Sequence, residues 1–454
     1  MIPAVTQPKE GRQWIYPKLI KGKLYTYRNY VSYFLLVLLF SGPFIKVNGE
    51  QLILLNILER KFAFFGIVFL PQDFYLFVLA MLSFLVFIIL FTVVFGRVWC
   101  GWACPQTIFM EMVFRKIEFW IEGSANEQKK LDAAPLTAHK AFKKGSKHLI
   151  FIVISFLIAN IFLAYVIGSE NLLAIIKDPV QKHIAGFSAI VIFTFIFYLV
   201  FAYVREIVCT VICPYGRLQG VLLDRKTLVV AYDYVRGEPR GKINKKEEIV
   251  HGDCIDCDLC VQVCPTGIDI REGTQLECVN CTACIDACNF VMEKIDRPKN
   301  LIGFKSEEQI HDNKPFKLSK RIYGYAAVLF LSLSVFVTLL VKRTDIATTI
   351  LRASGTLYQE RPDGTVSNLY NAELINKTPN SIKFQISSDN PEAKIVYINP
   401  ATTIRKGENL KITFFVILPQ KRIKDYKSEI AFKVTANGKI VSKARTTFIA
   451  PPNL

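Results

Sequence analysis

The sequence predicts a multidomain chain: an α-helical membrane domain of about five spans, a compact cysteine-rich insert, and a C-terminal all-β sandwich. Three observations carry this expectation. Several apolar runs approach the length of a bilayer crossing, all twelve cysteines lie between Cys100 and Cys288, and the last quarter switches to period-two alternation. The 454 residues exceed one ordinary domain, and 52% are hydrophobic, 35 of them Phe. With a mean hydropathy of +0.31, this is richer than soluble domains carry.

Taken in order, residues 1–29 form a basic leader with Lys9, Arg12, Lys18, Lys21, Lys23 and Arg28. The first apolar run, 31–47, starts too late for a cleaved signal peptide and lacks a small-residue cleavage site. It reads as an uncleaved first span, with Pro43 kinking its far end. Residues 50–73 are apolar but interrupted by Glu59, Arg60 and Lys61, so an interfacial or re-entrant segment is expected there. Further spans are expected at 74–95, 149–168, 186–204 and 323–341. The membrane domain then covers 30–204, a segment with the insert covers 205–322, and the fifth span covers 323–342.

The formal net charge is +18, and the Lys and Arg cluster beside the apolar runs, in the leader, in 96–148 and in 205–322. That is the positive-inside pattern rather than a nucleic-acid footprint, so no nucleic-acid partner is expected. The leader and the insert are placed in the cytoplasm of a bacterial inner membrane, and 343–454 in the periplasm. This tail has alternating runs at 381–386, 394–398, 410–417 and 430–434, parted by turn residues such as Asp389-Asn390-Pro391, Asn399-Pro400 and Asn437-Gly438. It reads as an immunoglobulin-like β-sandwich of about seven strands. It has no Cys or Trp, and so lacks the usual disulfide core.

The strongest chemical signal is Cys254-x2-Cys257-x2-Cys260-x3-Cys264-Pro265, followed by Cys278-x2-Cys281-x2-Cys284-x3-Cys288. Three closely spaced thiolates can wrap one cubane while the fourth crosses to the other, which is the two-cluster ferredoxin pattern. The insert, 250–295, is therefore read as ferredoxin-like with two 4Fe-4S clusters. One cluster would use Cys254, Cys257, Cys260 and Cys288, the other Cys278, Cys281, Cys284 and Cys264. Paired zinc sites are the competing reading, but they need neither the third nor the fourth thiol at these spacings. Asn289 stands where the second run usually has Pro, and all eight thiols remain.

A second signal is an internal repeat: Arg97-Val98-Trp99-Cys100-Gly101-Trp102-Ala103-Cys104-Pro105 ends one span, and Arg205 through Cys209, Cys213 and Pro214 ends another. Helical i and i+4 thiols would share a face, and each Pro should end its helix. Both spans run in the same direction, so Cys100, Cys104, Cys209 and Cys213 emerge on one face and are candidate ligands for a common metal. Binding another cofactor, exchanging as disulfides, or simply packing at helix ends remain alternatives. His139, His148, His183, His251 and His311 are isolated, and no Cys-x-x-Cys-His, GxGxxG after a strand, or GxxxxGK[ST] occurs. Haem, nicotinamide and ATP chemistry are therefore not expected.

This combination of two membrane Cys-x3-Cys-Pro motifs, paired cluster runs, a last span and an outer β-domain resembles the cytochrome c oxidase accessory proteins of the FixG, RdxA and CcoG type over essentially the whole chain. Polyferredoxin proteins of nitrate and nitrous-oxide respiration share the cysteines, but the β-domain favours the accessory family. The resemblance implies a copper reductase that converts Cu(II) to Cu(I) for assembly of cbb3-type cytochrome oxidase. The implied partners are oxidase assembly factors, copper donors or acceptors and an electron donor that no residue pattern identifies, with a homo-oligomer left open. An electron conduit to a respiratory oxidoreductase and a non-redox assembly scaffold are the alternatives.

Overall fold

The computed structural model describes residues 14–57, 61–69, 71–242, 252–344, 346–355, 357–378, 380–405, 407–420, 423, 425–436 and 438–451. Lys9, Arg12, Glu59, Arg60, His251 and Asn437, used in the sequence reading, lie outside the described residues. The chain forms two compact units: one of residues 1–41, 82–163 and 173–332, the other of 42–81, 164–172 and 333–454.

Among the described residues four helices are long and apolar enough to cross a bilayer: Phe74–Phe95, Ala138–Ile167, Val180–Val204 and Lys320–Val341. Between 0% and 33% of each apolar window is buried within the chain, as expected of helices whose side chains face lipid. The expected first span differs. A helix does form, but at Lys23–Ser41 rather than 31–47. Its first half carries Lys23, Arg28 and Asn29, so its apolar stretch is short, and it stops two residues before Pro43 instead of kinking there.

In the first unit, the helices close around Phe109, Phe114, Phe151, Tyr198 and Phe201, all buried. Phe114 stacks on Phe201 at 4.7 Å and meets Phe151 edge-on at 4.7 Å. Next to this apolar cluster sits a buried ion network. Arg205 and Lys147 both reach Glu118, and Lys147 lies 2.9 Å from Glu122. The helices are interrupted at π-helical turns, Ile108–Phe114, Val200–Val204 and Val208–Ile212. Such turns commonly mark functional positions, and here all three adjoin the membrane cysteine motifs. The insert is closed by an antiparallel pair, Val229–Tyr232 with Ile302–Lys305, and by the helix Ala283–Lys294.

In the second unit, the described residues of segment 50–73, expected as an interfacial or re-entrant segment, form short strands and a 3-10 turn. The segment holds Glu50–Gln51 of a hairpin with Lys46–Val47, and a three-stranded antiparallel sheet of Ile53–Asn56, Lys61–Phe64 and Ile67–Phe69. Two-residue turns at Asn48-Gly49 and Phe65-Gly66 have positive φ at both positions, the geometry that matches the twist of paired strands. Buried Asp73, just before the helix Phe74–Phe95, is held by Arg343 at 2.7 Å and Lys377 at 2.5 Å.

The C-terminal part is a two-sheet sandwich. One sheet runs Lys394–Tyr397, Asn409–Pro419, Thr365–Asn376, Ile346–Arg352, with Gln359–Glu360 also on Thr365–Asn376; the other runs Thr403–Ile404, Ile382–Ser388, Lys427–Ala436, Lys439–Ile449. Among the described residues nine strands form where about seven were expected; the extra ones are two-residue edge pieces. Tyr370, Phe414 and Phe432 pack ring to ring at 5.4–5.9 Å, filling the centre where a disulfide and Trp would otherwise sit.

Candidate functional site

The eight insert cysteines ring two adjacent hollows. Cys254, Cys257, Cys260 and Cys288 line the first, with Tyr232, Met292 and Ile302. Cys264, Cys278, Cys281 and Cys284 line the second, with Val230 and Ile270, and Cys260 reaches its wall as well. All twelve cysteines are free thiols. Among the described residues, no three His, Cys, Asp or Glu side chains converge closely enough to hold a single metal ion. Four thiols spread around an apolar hollow, without converging on a point, suit a four-iron cubane, whose irons take one thiolate each.

Local backbone geometry explains how each run wraps its hollow. Asp256 and Asp258 flank Cys257 with φ of 53° and 55°, and Asn280 and Thr282 flank Cys281 with φ of 52° and 67°. The same left-handed positions thus recur in both runs. They curl successive thiols inward and make the concave backbone that favours an anionic guest. Asp and Asn tolerate this conformation; Thr282 is β-branched and strained in it, and its hydroxyl donates to the Cys281 carbonyl at 2.6 Å. Arg271 clamps the first run by donating to Asp256, Asp258 and Asp269, each at 2.6 Å. Burial pushes the Cys260 and Cys278 thiols up to about 12 and those of Cys281 and Cys288 up to about 11. Metal ligation displaces such protons, so affinity for the guest is tied to proton release.

The membrane motifs do not form the continuous helix face expected from their spacing. Cys100 lies in the short helix Val98–Trp102, whereas Cys104 is extended, with ψ of 126°, just before Pro105. Cys213 is likewise extended before Pro214, with ψ of 109°. Proline excludes the helical conformation from the residue before it, so each pair straddles a break. The four thiols still lie near one another: Cys104 and Cys213 act electrostatically on Cys100, and all three act on Cys209. Burial pushes Cys100 up to about 11 and Cys209 up to about 12.

Two of these thiols join the insert directly. Cys100 and Cys209 pack in one cluster with Val279, Cys281 and Ala283. A Cβ on Gly101 would stand 2.5 Å from the Val279 carbonyl and 2.8 Å from the Cys281 Cα, so glycine allows this approach. Arg28 Nε donates to the Gly101 carbonyl at 2.8 Å, and Arg97 donates to the Leu276 carbonyl. Cys100 Sγ donates to Gln219 Oε1 at 2.9 Å, and Gln219 Nε2 in turn donates to Thr92 and Tyr215, both at 2.9 Å. Arg28, read only as part of the basic leader, and Gln219, five residues past Pro214, were not read as site residues, because only the folded chain brings them to Gly101 and Cys100. Arg97 stood inside its quoted motif, and its charge before the first cysteine was an available signal.

Spanning helices, paired thiol-lined hollows and a separate β-sandwich define a membrane-embedded iron–sulfur electron-transfer protein. Family models match three stretches of the chain. A 4Fe-4S dicluster domain matches residues 204–307, a 4Fe-4S binding domain matches 77–123, and an IG-like fold at the C-terminus of FixG matches 336–451. Protein RdxA of Cereibacter sphaeroides is 34% identical over 83% of this chain and 82% of its own. Protein RdxB of the same organism is 32% identical over 88% of both chains. Nitrogen fixation protein FixG of Rhizobium meliloti is 36% identical over 65% of this chain and 57% of its own. The chain belongs to the FixG/RdxA family.

Proposed function

We propose that the chain is a copper reductase: single electrons pass from the insert to the four membrane thiols and there convert Cu(II) to Cu(I) for assembly of cbb3-type cytochrome oxidase. The observation that carries this reading is the shared packing of Cys100 and Cys209 with Cys281, which puts the membrane motif against the second thiol-lined hollow. Cys254, Cys257, Cys260 and Cys288 would hold one 4Fe-4S cluster, and Cys264, Cys278, Cys281 and Cys284 the other. The clusters supply one-electron chemistry, matching the one electron that Cu(II) accepts. The thiols of Cys100, Cys104, Cys209 and Cys213 offer soft donors that favour Cu(I). Positive charge beside the apolar runs supports a cytoplasmic insert in a bacterial inner membrane, and the helix Lys320–Val341 would then carry the chain across to a periplasmic β-sandwich, while the helix Lys23–Ser41, as a short first crossing, would leave the leader cytoplasmic. Purified, cluster-loaded protein supplied with a chemical reductant should generate Cu(I), trapped by a chromogenic chelator, faster than protein stripped of iron. Equal rates would overturn the proposal.

One observation favours a second reading, an electron conduit in which the membrane thiols hold a cofactor of their own. The 4Fe-4S binding model matches 77–123, which contains Cys100 and Cys104. Iron analysis separates the two: copper reduction at free thiols predicts about eight iron atoms per chain and a third cubane about twelve.

A further inference from the structure

Beside the second thiol ring lies another hollow, bounded by Val263, Pro265 and Ala283, which adjoin Cys264 and Cys284 in sequence. Arg28 and Arg115 are among the residues that line it, and they are 4% and 3% exposed. Arg28 uses Nε on the Gly101 carbonyl, and Arg115 gives Nη1 to Glu111. In both, Nη2 is buried and has no hydrogen-bond partner among the described residues. Buried cationic donors left unpaired are strongly disfavoured, and two of them bordering one hollow match the geometry of an oxyanion. Lys18, exposed at the rim, adds a third positive charge. The acids facing the hollow are already engaged: Glu111 by Arg115, and Asp286 by the backbone amides of Leu24 and Tyr25 at 3.3 and 2.7 Å.

We propose that this hollow binds the phosphate group of an anionic ligand, bridged by Nη2 of Arg28 and Nη2 of Arg115 against the backbone that carries Cys264 and Cys284. Neither the copper reading nor the conduit reading requires it. A soluble phosphate-bearing molecule and an anionic lipid headgroup present the same group. A competing explanation assigns Arg28 only to balancing charge at Cys281, which its field reaches. That explanation predicts no phosphate binding and leaves the Nη2 of Arg115 unaccounted for.

The test uses full-length, cluster-loaded protein in phosphate-free detergent, with radiolabelled inorganic phosphate in equilibrium dialysis. Saturable binding is expected, weakened about tenfold or more in Arg28→Gln and in Arg115→Gln, the scale of a lost charge-assisted hydrogen bond. Arg28 also supports Gly101, so Arg115→Gln, checked for unchanged iron content, keeps the test clear of misfolding. Phosphatidylglycerol in nanodiscs competing with the label supports the site with a lipid source. Label binding undisturbed by it supports a soluble source. Absence of both phosphate and phosphatidylglycerol binding, or binding unchanged in both variants, would overturn the proposal.

Discussion

Cys264 and Cys288 each end one cysteine run and line the hollow that the other run builds. Cys264→Ala should therefore remove the cluster held by Cys278, Cys281 and Cys284, and Cys288→Ala the one held by Cys254, Cys257 and Cys260. Each variant should lose about half the iron, and paramagnetic resonance of the reduced proteins should show complementary residual signals. Identical residual signals in the two variants would refute the crossed arrangement. At Gly101 the prediction is steric. A methyl group there meets the Val279 carbonyl and the Cys281 Cα inside contact distance, and backbone cannot give way as a flexible side chain could. Gly101→Ala should cost about 1–3 kcal/mol and part the membrane motif from the insert. Copper reduction should fall with it, while the iron content of the insert stays the same. Unchanged thermal unfolding and unchanged reduction would show that the close approach is not needed.

Among the elements, the β-sandwich shows how an aromatic cluster can stand in for a disulfide. Tyr370, Phe414 and Phe432 are fully buried and in mutual ring contact. Phe432→Ala should destabilise this domain by about 3–5 kcal/mol, read from denaturant unfolding, while leaving the iron content of the whole chain intact. The strands were legible because alternation survives in single-face strands: Ile430, Phe432 and Val434 all point into the core. The cysteine runs were equally legible, since ligand spacing is local. Segment 50–73 was read too coarsely. Its apolar composition suggested contact with the membrane interface, although Asn48-Gly49 just before it is a two-residue hairpin signal available in the sequence. The helix Lys23–Ser41 was misplaced because apolar length alone set its start, while its polar first turns pack on the insert through Asp286. The phosphate-site arginines could not be read at all. Arg28 and Arg115 are brought to one hollow only by tertiary packing.

For the whole molecule, the helix Lys320–Val341 decides whether the β-sandwich resides across the membrane from the insert. Four crossings put the two ends of the chain on one side, whereas a fifth, short crossing by Lys23–Ser41 separates them. The charge bias predicts that reporters after Gly123 and near Gly241 read cytoplasmic and one after Gly364 reads periplasmic. With Gly241 cytoplasmic, a cytoplasmic reading at Gly364 would remove the helix Lys320–Val341 from the list of crossings. After residue 342 the sequence has no Cys, Met or His, so the sandwich offers copper no soft donor, and its expected work is docking. The central claim is that electrons leave the insert through the membrane thiols, and one comparison tests it most directly. Full-length protein and a variant with Cys100, Cys104, Cys209 and Cys213 all replaced by Ser are loaded with iron and sulfide, reduced, and given Cu(II) with a Cu(I) chelator. The variant should keep both cluster signals by paramagnetic resonance and lose copper reduction. A variant that keeps both the cluster signals and the full rate of Cu(I) formation would contradict the account.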